Sequence, residues 1–127
     1  MRGKVDSVIK IPTTLDDFFR YWFEFLKPFH QLTGREIDVA TALIRQRYIL
    51  SKVITDNNIL DKVVMSDDTR KIVREECNLS LPHFQVIMGK LKKHKVIIDS
   101  RINPKFIPNV IEENGNFQLL LLFDFIK

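Results

Sequence analysis

The stretch NLSLPHFQVIMGKLKKHKVII, residues 78–98, limits the possible folds more than any other part of the chain. Asn78 tolerates the left-handed backbone conformation in which helices commonly end. Ser80 is placed to cap the next helix, because its hydroxyl can accept from the free N–H groups of the first turn. Pro82 falls in that turn, where a missing N–H removes no helical hydrogen bond. Phe84, Ile87, Met88 and Leu91 recur at helical spacing and predict one buried stripe. The helix is expected to end near His94, and VIIDSRI has strand propensity. A helix, a tight turn, a second helix and a strand therefore follow one another within about thirty residues.

Upstream, the first dozen residues alternate weakly through Val5, Val8, Ile9 and Ile11, as in a short strand or an arm, and Pro12 ends the pattern. Thr14 and Asp17 open TLDDFFRYWFEFLK, a predicted helix that Pro28 should stop. Its apolar positions cover most of the circumference, which calls for deep burial or a second subunit. Phe18, Tyr21, Trp22 and Phe25 are the expected oligomer contacts. Thr33 and Glu36 form a capping box for a long helix to about Val53, striped by Ile37, Ala40, Leu43, Ile44 and Tyr48. Asp56 can cap a short helix in DNNILDKVV. Ser66 or Asp67 can cap DTRKIVREEC, with Ile72, Val73 and Cys77 facing inward.

Downstream, Pro104 and Pro108 forbid a regular helix through INPKFIPN, and ENGN at 113–116 is a turn signal. FQLLLLFDF is a continuous apolar run, expected to be a strand covered on both faces and the partner of VIIDSRI in a two-stranded unit. With 127 residues the expectation is a single domain, 1–127. It comprises an arm and aromatic helix over 1–31 and a core over 32–127.

Apolar residues make up 45% and charged residues 28%, enough for a core without metal or disulfide staples. The lone Cys77 cannot form an internal disulfide, the start has no apolar run of signal-peptide length, and no membrane span is present. A cytoplasmic location is the expectation. His30, His83 and His94 are scattered, the four glycines form no phosphate loop, and Asp16/Asp17 and Asp67/Asp68 sit at helix starts. No enzyme activity, cofactor, metal or small-molecule substrate is expected. The net charge of +4 is unevenly spread: Lys90, Lys92, Lys93, Lys95, Arg101 and Lys105 face only Asp99 between residues 90 and 105. Such clustering raises phosphate affinity through counterion release, although lysines on a helix end and a turn can also be simply solvated.

The order of these signals resembles the winged helix–turn–helix family. Val73 takes the first apolar place of its pattern, Cys77 the apolar residue before the turn, Asn78 the turn, and Leu79 and Ser80 the entry. Phe84, Met88 and Leu91 match the inward positions of the second helix, and Val96 and Ile97 open the strand. The chain departs from the pattern at Arg74, where a small residue is usual, and at Lys95, where glycine is usual. It departs again at His83 and Val86, where Thr or Ser and Arg are common. LKKHKVIIDSRINPKFIP is also similar to the helix, strand, Ile-Asn-Pro ending of winged-helix replication initiators of plasmids and phages.

The resemblance implies a mainly α (α+β) fold with an extra N-terminal helix and a two-stranded wing. It implies double-stranded DNA as partner, held mostly by its backbone, with a homodimer or another protein as second partner. Ser80, His83, Gln85 and Lys90 would be the reading-face candidates. Gln85 could pair with an adenine edge, while Lys90, Lys92, Lys93, Arg101 and Lys105 would take phosphates. A regulator or replication factor of a phage or plasmid is one expectation. A phage structural or adaptor protein using the same scaffold for protein contacts is the other, with the virion as its place.

Overall fold

The structure, a computed structural model, describes residues 7–127. Six helices precede a small antiparallel hairpin: α1 Leu15–Phe25, α2 Lys27–His30, α3 Gly34–Ser51, α4 Asn57–Val64, α5 Asp67–Glu76, α6 Leu81–Lys93, β1 Ile97–Ile98 and β2 Arg101–Ile102. The molecule is thus mainly helical with a minor β component. Val5 lies outside the described residues, and residues 7–14 form no helix or strand.

Most helices start at the expected caps. The Thr14 hydroxyl accepts from Asp17 N–H at 3.2 Å, and Thr33 and Glu36 form the reciprocal box. The Asp56 carboxylate accepts from the N–H groups of Asn58 and Ile59. The hydroxyls of Ser66 and Ser80 accept from Thr69 and His83. Each cap satisfies backbone donors that the helix itself leaves unpaired.

Helix α3 is the centre of the molecule and packs against α1, α4, α5 and α6. Of the expected stripe, Ile37, Ala40, Leu43 and Ile44 are buried and Tyr48 is partly buried, and Val39, Thr41 and Ala42 on the other sides are buried too. Around it lie Phe19, Phe23, Leu26 and Leu32 from the N-terminal region, Leu60 and Val64 from α4, Val73 from α5, and Phe84, Ile87, Met88 and Leu91 from α6.

Several expectations need correction. Pro28 does not stop a helix; it stands in the first turn of α2, because α1 has already ended at Phe25 and a proline in a first turn costs no hydrogen bond. Ile72 is exposed; α5 turns Thr69 and Val73 inward instead, a four-residue step that leaves Ile72 on the outside. FQLLLLFDF is not a strand, and beyond Phe117 its residues are exposed. Both strands come from VIIDSRI, which folds back on itself, pairing Ile97 with Ile102 and Ile98 with Arg101. Asp99 and Ser100 between them have φ of 51° and 60°, the double left-handed conformation that a two-residue hairpin turn needs.

Candidate nucleic-acid interface

The turn between α5 and α6 is closed by two backbone hydrogen bonds. Leu79 N–H donates to Arg74 O at 3.1 Å, and Asn78 N–H donates to Glu75 O at 3.0 Å. Asn78 supplies the left-handed residue this closure requires, with φ of 54°. Arg74 is accommodated because its guanidinium reaches past the helix and donates to Leu79 O at 3.3 Å. At the far end of α6 the same closure recurs: Val96 N–H reaches Leu91 O and Lys95 N–H reaches Lys92 O. Lys95, in the glycine position, adopts φ of 61°.

Asn103 then locks the hairpin to α6. Its N–H donates to Val96 O at 2.8 Å and its side-chain amide donates to Lys95 O at 2.9 Å. Its side-chain oxygen accepts from Lys105 N–H, starting the 3-10 turn Pro104–Phe106. With Ile102 buried and Pro104 opening the turn, each residue of Ile-Asn-Pro has a structural task.

With its inner stripe against α3, α6 exposes Pro82, His83, Gln85, Val86, Gly89, Lys90, Lys92 and Lys93. Ser80 is exposed too, but its oxygen is engaged as the cap. A Cβ at Gly89 would meet nothing within 4 Å, so packing inside the chain does not demand glycine there. Val86 is 60% exposed, an apolar side chain in the middle of this polar face. Lys105 is also exposed, and Arg101 lies 4.0 Å from Asp61 on α4, which Arg47 also approaches at 3.4 Å.

Six basic residues outside this end are held in ion pairs, whereas Lys10, Lys27, Lys62, Lys71 and Lys127 show none among the described residues. Arg20, Arg35, Arg45, Arg47, Lys52 and Arg70 all pair with carboxylates. Among the described residues, Lys90, Lys92, Lys93, Lys95 and Lys105 make no ion pair. Their charge is therefore available to a ligand without first breaking an internal contact.

The expected oligomer residues separate into two kinds. Phe18 and Trp22 are used inside the chain: Phe117 packs on both, at ring distances of 4.9 and 5.6 Å, and Trp22 Nε1–H donates to Phe106 O at 2.8 Å. Tyr21 and Phe25 remain exposed. Cys77 is half-buried, and its thiol pKa is raised by burial. His30 is buried between the rings of Phe23 and Phe106, a role its sequence context did not signal. A polar cleft between α1, α3 and α5 is lined by Arg20 and Arg35, which share Asp38, and by the separate pair Arg45 and Glu76. Among the described residues no helix is long and apolar enough to cross a membrane, and no group of acids, histidines or cysteine is placed for a metal.

No protein-family model matches this chain, and no curated protein or solved structure matches it either.

Proposed function

We propose that this chain is a winged helix–turn–helix protein that binds duplex DNA mainly through its phosphates. The observation that carries the reading is a set of five lysines that make no ion pair among the described residues: Lys90, Lys92 and Lys93 on the last turns of α6, Lys95 between α6 and the hairpin, and Lys105 in the following 3-10 turn, with Asp99 the one acid between them in sequence. In this arrangement α6 enters the major groove by its N-terminal half, presenting His83 and Gln85 to base edges. The hairpin acts as a short wing, and Lys90, Lys92, Lys93, Lys95 and Lys105 line the backbone. The outward face of α6 offers few base readers, so specificity is modest. The Ile-Asn-Pro likeness supports a regulator or replication factor of a phage or plasmid. Val86 and Leu81, both more than half exposed, favour the second reading, in which the same face docks a protein.

Titration with random-sequence duplex at two salt concentrations tests the proposal. With about five phosphates neutralised, affinity should fall by roughly 10²–10³ between 50 and 200 mM salt. The double change Lys92→Glu/Lys93→Glu should cost at least about tenfold at low salt. Absence of binding at low salt, or indifference to the double change, would leave the protein-docking reading standing instead.

A further inference from the structure

The C-terminal residues 118–127 form no helix or strand, yet they carry Leu119 to Phe123, Phe125 and Ile126. Leu120 is 70%, Phe123 83%, Phe125 92% and Ile126 98% exposed. At the root of the run Phe117 packs on Phe18 and Trp22 of α1. A second bare apolar surface begins at the same root. Tyr21 and Phe25 stand three residues beyond Phe18 and Trp22 along α1, and Phe29 on α2 follows; all three are exposed.

We propose that two copies of this chain exchange their C-terminal segments, residues 118–126 of one copy lying along Tyr21, Phe25 and Phe29 of the other. Three considerations select a second copy as the occupant. A monomer seldom exposes a contiguous apolar patch beyond ~300–600 Å². At roughly 150–250 Å² for a full aromatic side chain and somewhat less for leucine, the exposed parts of the tail alone reach on the order of 800 Å². That is about what each partner contributes to an interface of standard size. Finally, the exposed segment and the exposed stripe belong to one molecule and both adjoin the contact of Phe117 with Phe18 and Trp22. A two-fold exchange covers both in both copies, whereas a partner that captured only the tail would leave the stripe in water.

Sedimentation of the full chain in high salt, where phosphate binding is lost, reads the exchange independently of DNA. The wild type is expected to be a dimer at micromolar concentration. Tail variant Leu120→Glu/Leu122→Glu/Phe125→Glu and stripe variant Tyr21→Glu/Phe25→Glu/Phe29→Glu alter exposed positions, so circular dichroism should show both folded. Each should sediment as a monomer, with self-association weakened at least about a hundredfold. Mixed in equal amounts, they should form a heterodimer that keeps one intact tail–stripe contact. If the tail variant misfolds, deletion of residues 119–127 takes its place with the same expected readings. A monomeric wild type overturns the exchange, even one that binds lipid vesicles through its tail. So does a variant that stays dimeric, as the stripe variant would under tail-to-tail pairing, or a mixture that stays monomeric.

Discussion

His30 shows how much one side chain can decide. Leu32 N–H donates to its Nδ1 at 2.9 Å, and its Nε2 lies 2.7 Å from Phe23 O, so only the neutral ring with the proton on Nε2 satisfies both. Burial lowers its pKa below 6.5; His94 and Lys27 act in the same direction, while the Phe23 carbonyl and Glu24 oppose them. The folded value is below the unfolded one, so the unfolded chain binds the extra proton. The stabilisation is fully present above pH 6.5 and is lost as pH falls from there toward the depressed value. Urea midpoints should therefore drop through that window, and His30→Gln should flatten the drop while lowering stability throughout. An unchanged pH dependence in the variant would remove His30 as its source. Thr41 makes the opposite case. Its buried hydroxyl is the only buried side-chain polar atom among the described residues with no protein partner. Thr41→Val keeps the shape and should raise unfolding stability by ~1 kcal/mol, a result that denaturant titration can refute by showing a loss.

At the scale of elements, what could be read from sequence was local chemistry. Thr14, Thr33 with Glu36, Asp56, Ser66, Ser80 and Asn78 each act on backbone within a turn of themselves, and each does so as expected. What could not be read depended on a distant partner. Ile72 and Val73 are adjacent apolar residues, and only the position of α3 decides which one faces in. FQLLLLFDF has the composition of a strand, but VIIDSRI takes its strand partner from within itself, a choice that composition does not encode. The candidate site was legible as a list of bases; that its lysines make no ion pair, while Arg20, Arg35, Arg45, Arg47 and Arg70 do, depended on the fold. Asn103 was legible only as part of a three-residue likeness, though it joins α6, the hairpin and the 3-10 turn. Asn103→Ala should cost ~1–2 kcal/mol in thermal unfolding. Lys95→Gly separates stability from binding at the same joint. Relief of the left-handed backbone should add ~1 kcal/mol, while loss of one base should weaken DNA binding a few-fold. Loss of both, or gain of both, would contradict the assignment of Lys95 to the phosphate face.

Across the whole molecule the chain divides its surface by task. The basic end, built by α6 and the hairpin, carries bare charge, while the opposite end of the sequence returns to α1 and α3 and closes the core. Residues 103–117 act as a strap. Phe106 is buried and its carbonyl accepts the Trp22 N–H, Glu112 accepts from Tyr48 on α3 and from Lys52 just after it, and Phe117 covers Phe18 and Trp22. The Glu112 carboxyl is held below its usual range by Lys52 and Tyr48, yet the contact lies in water, where paired charges gain little. The rings are what should hold the strap. Phe117→Ala removes aromatic contacts in a partly buried site and should cost ~1–2 kcal/mol. Glu112→Gln should leave the unfolding temperature nearly unchanged. Measured by calorimetry on the tail-deleted chain, so that self-association does not contribute, the expected order is a clear fall for Phe117→Ala and almost none for Glu112→Gln. The reverse order would mean that the strap is fastened by charge on α3, and that Phe117 is free to swing away from α1 with the tail behind it.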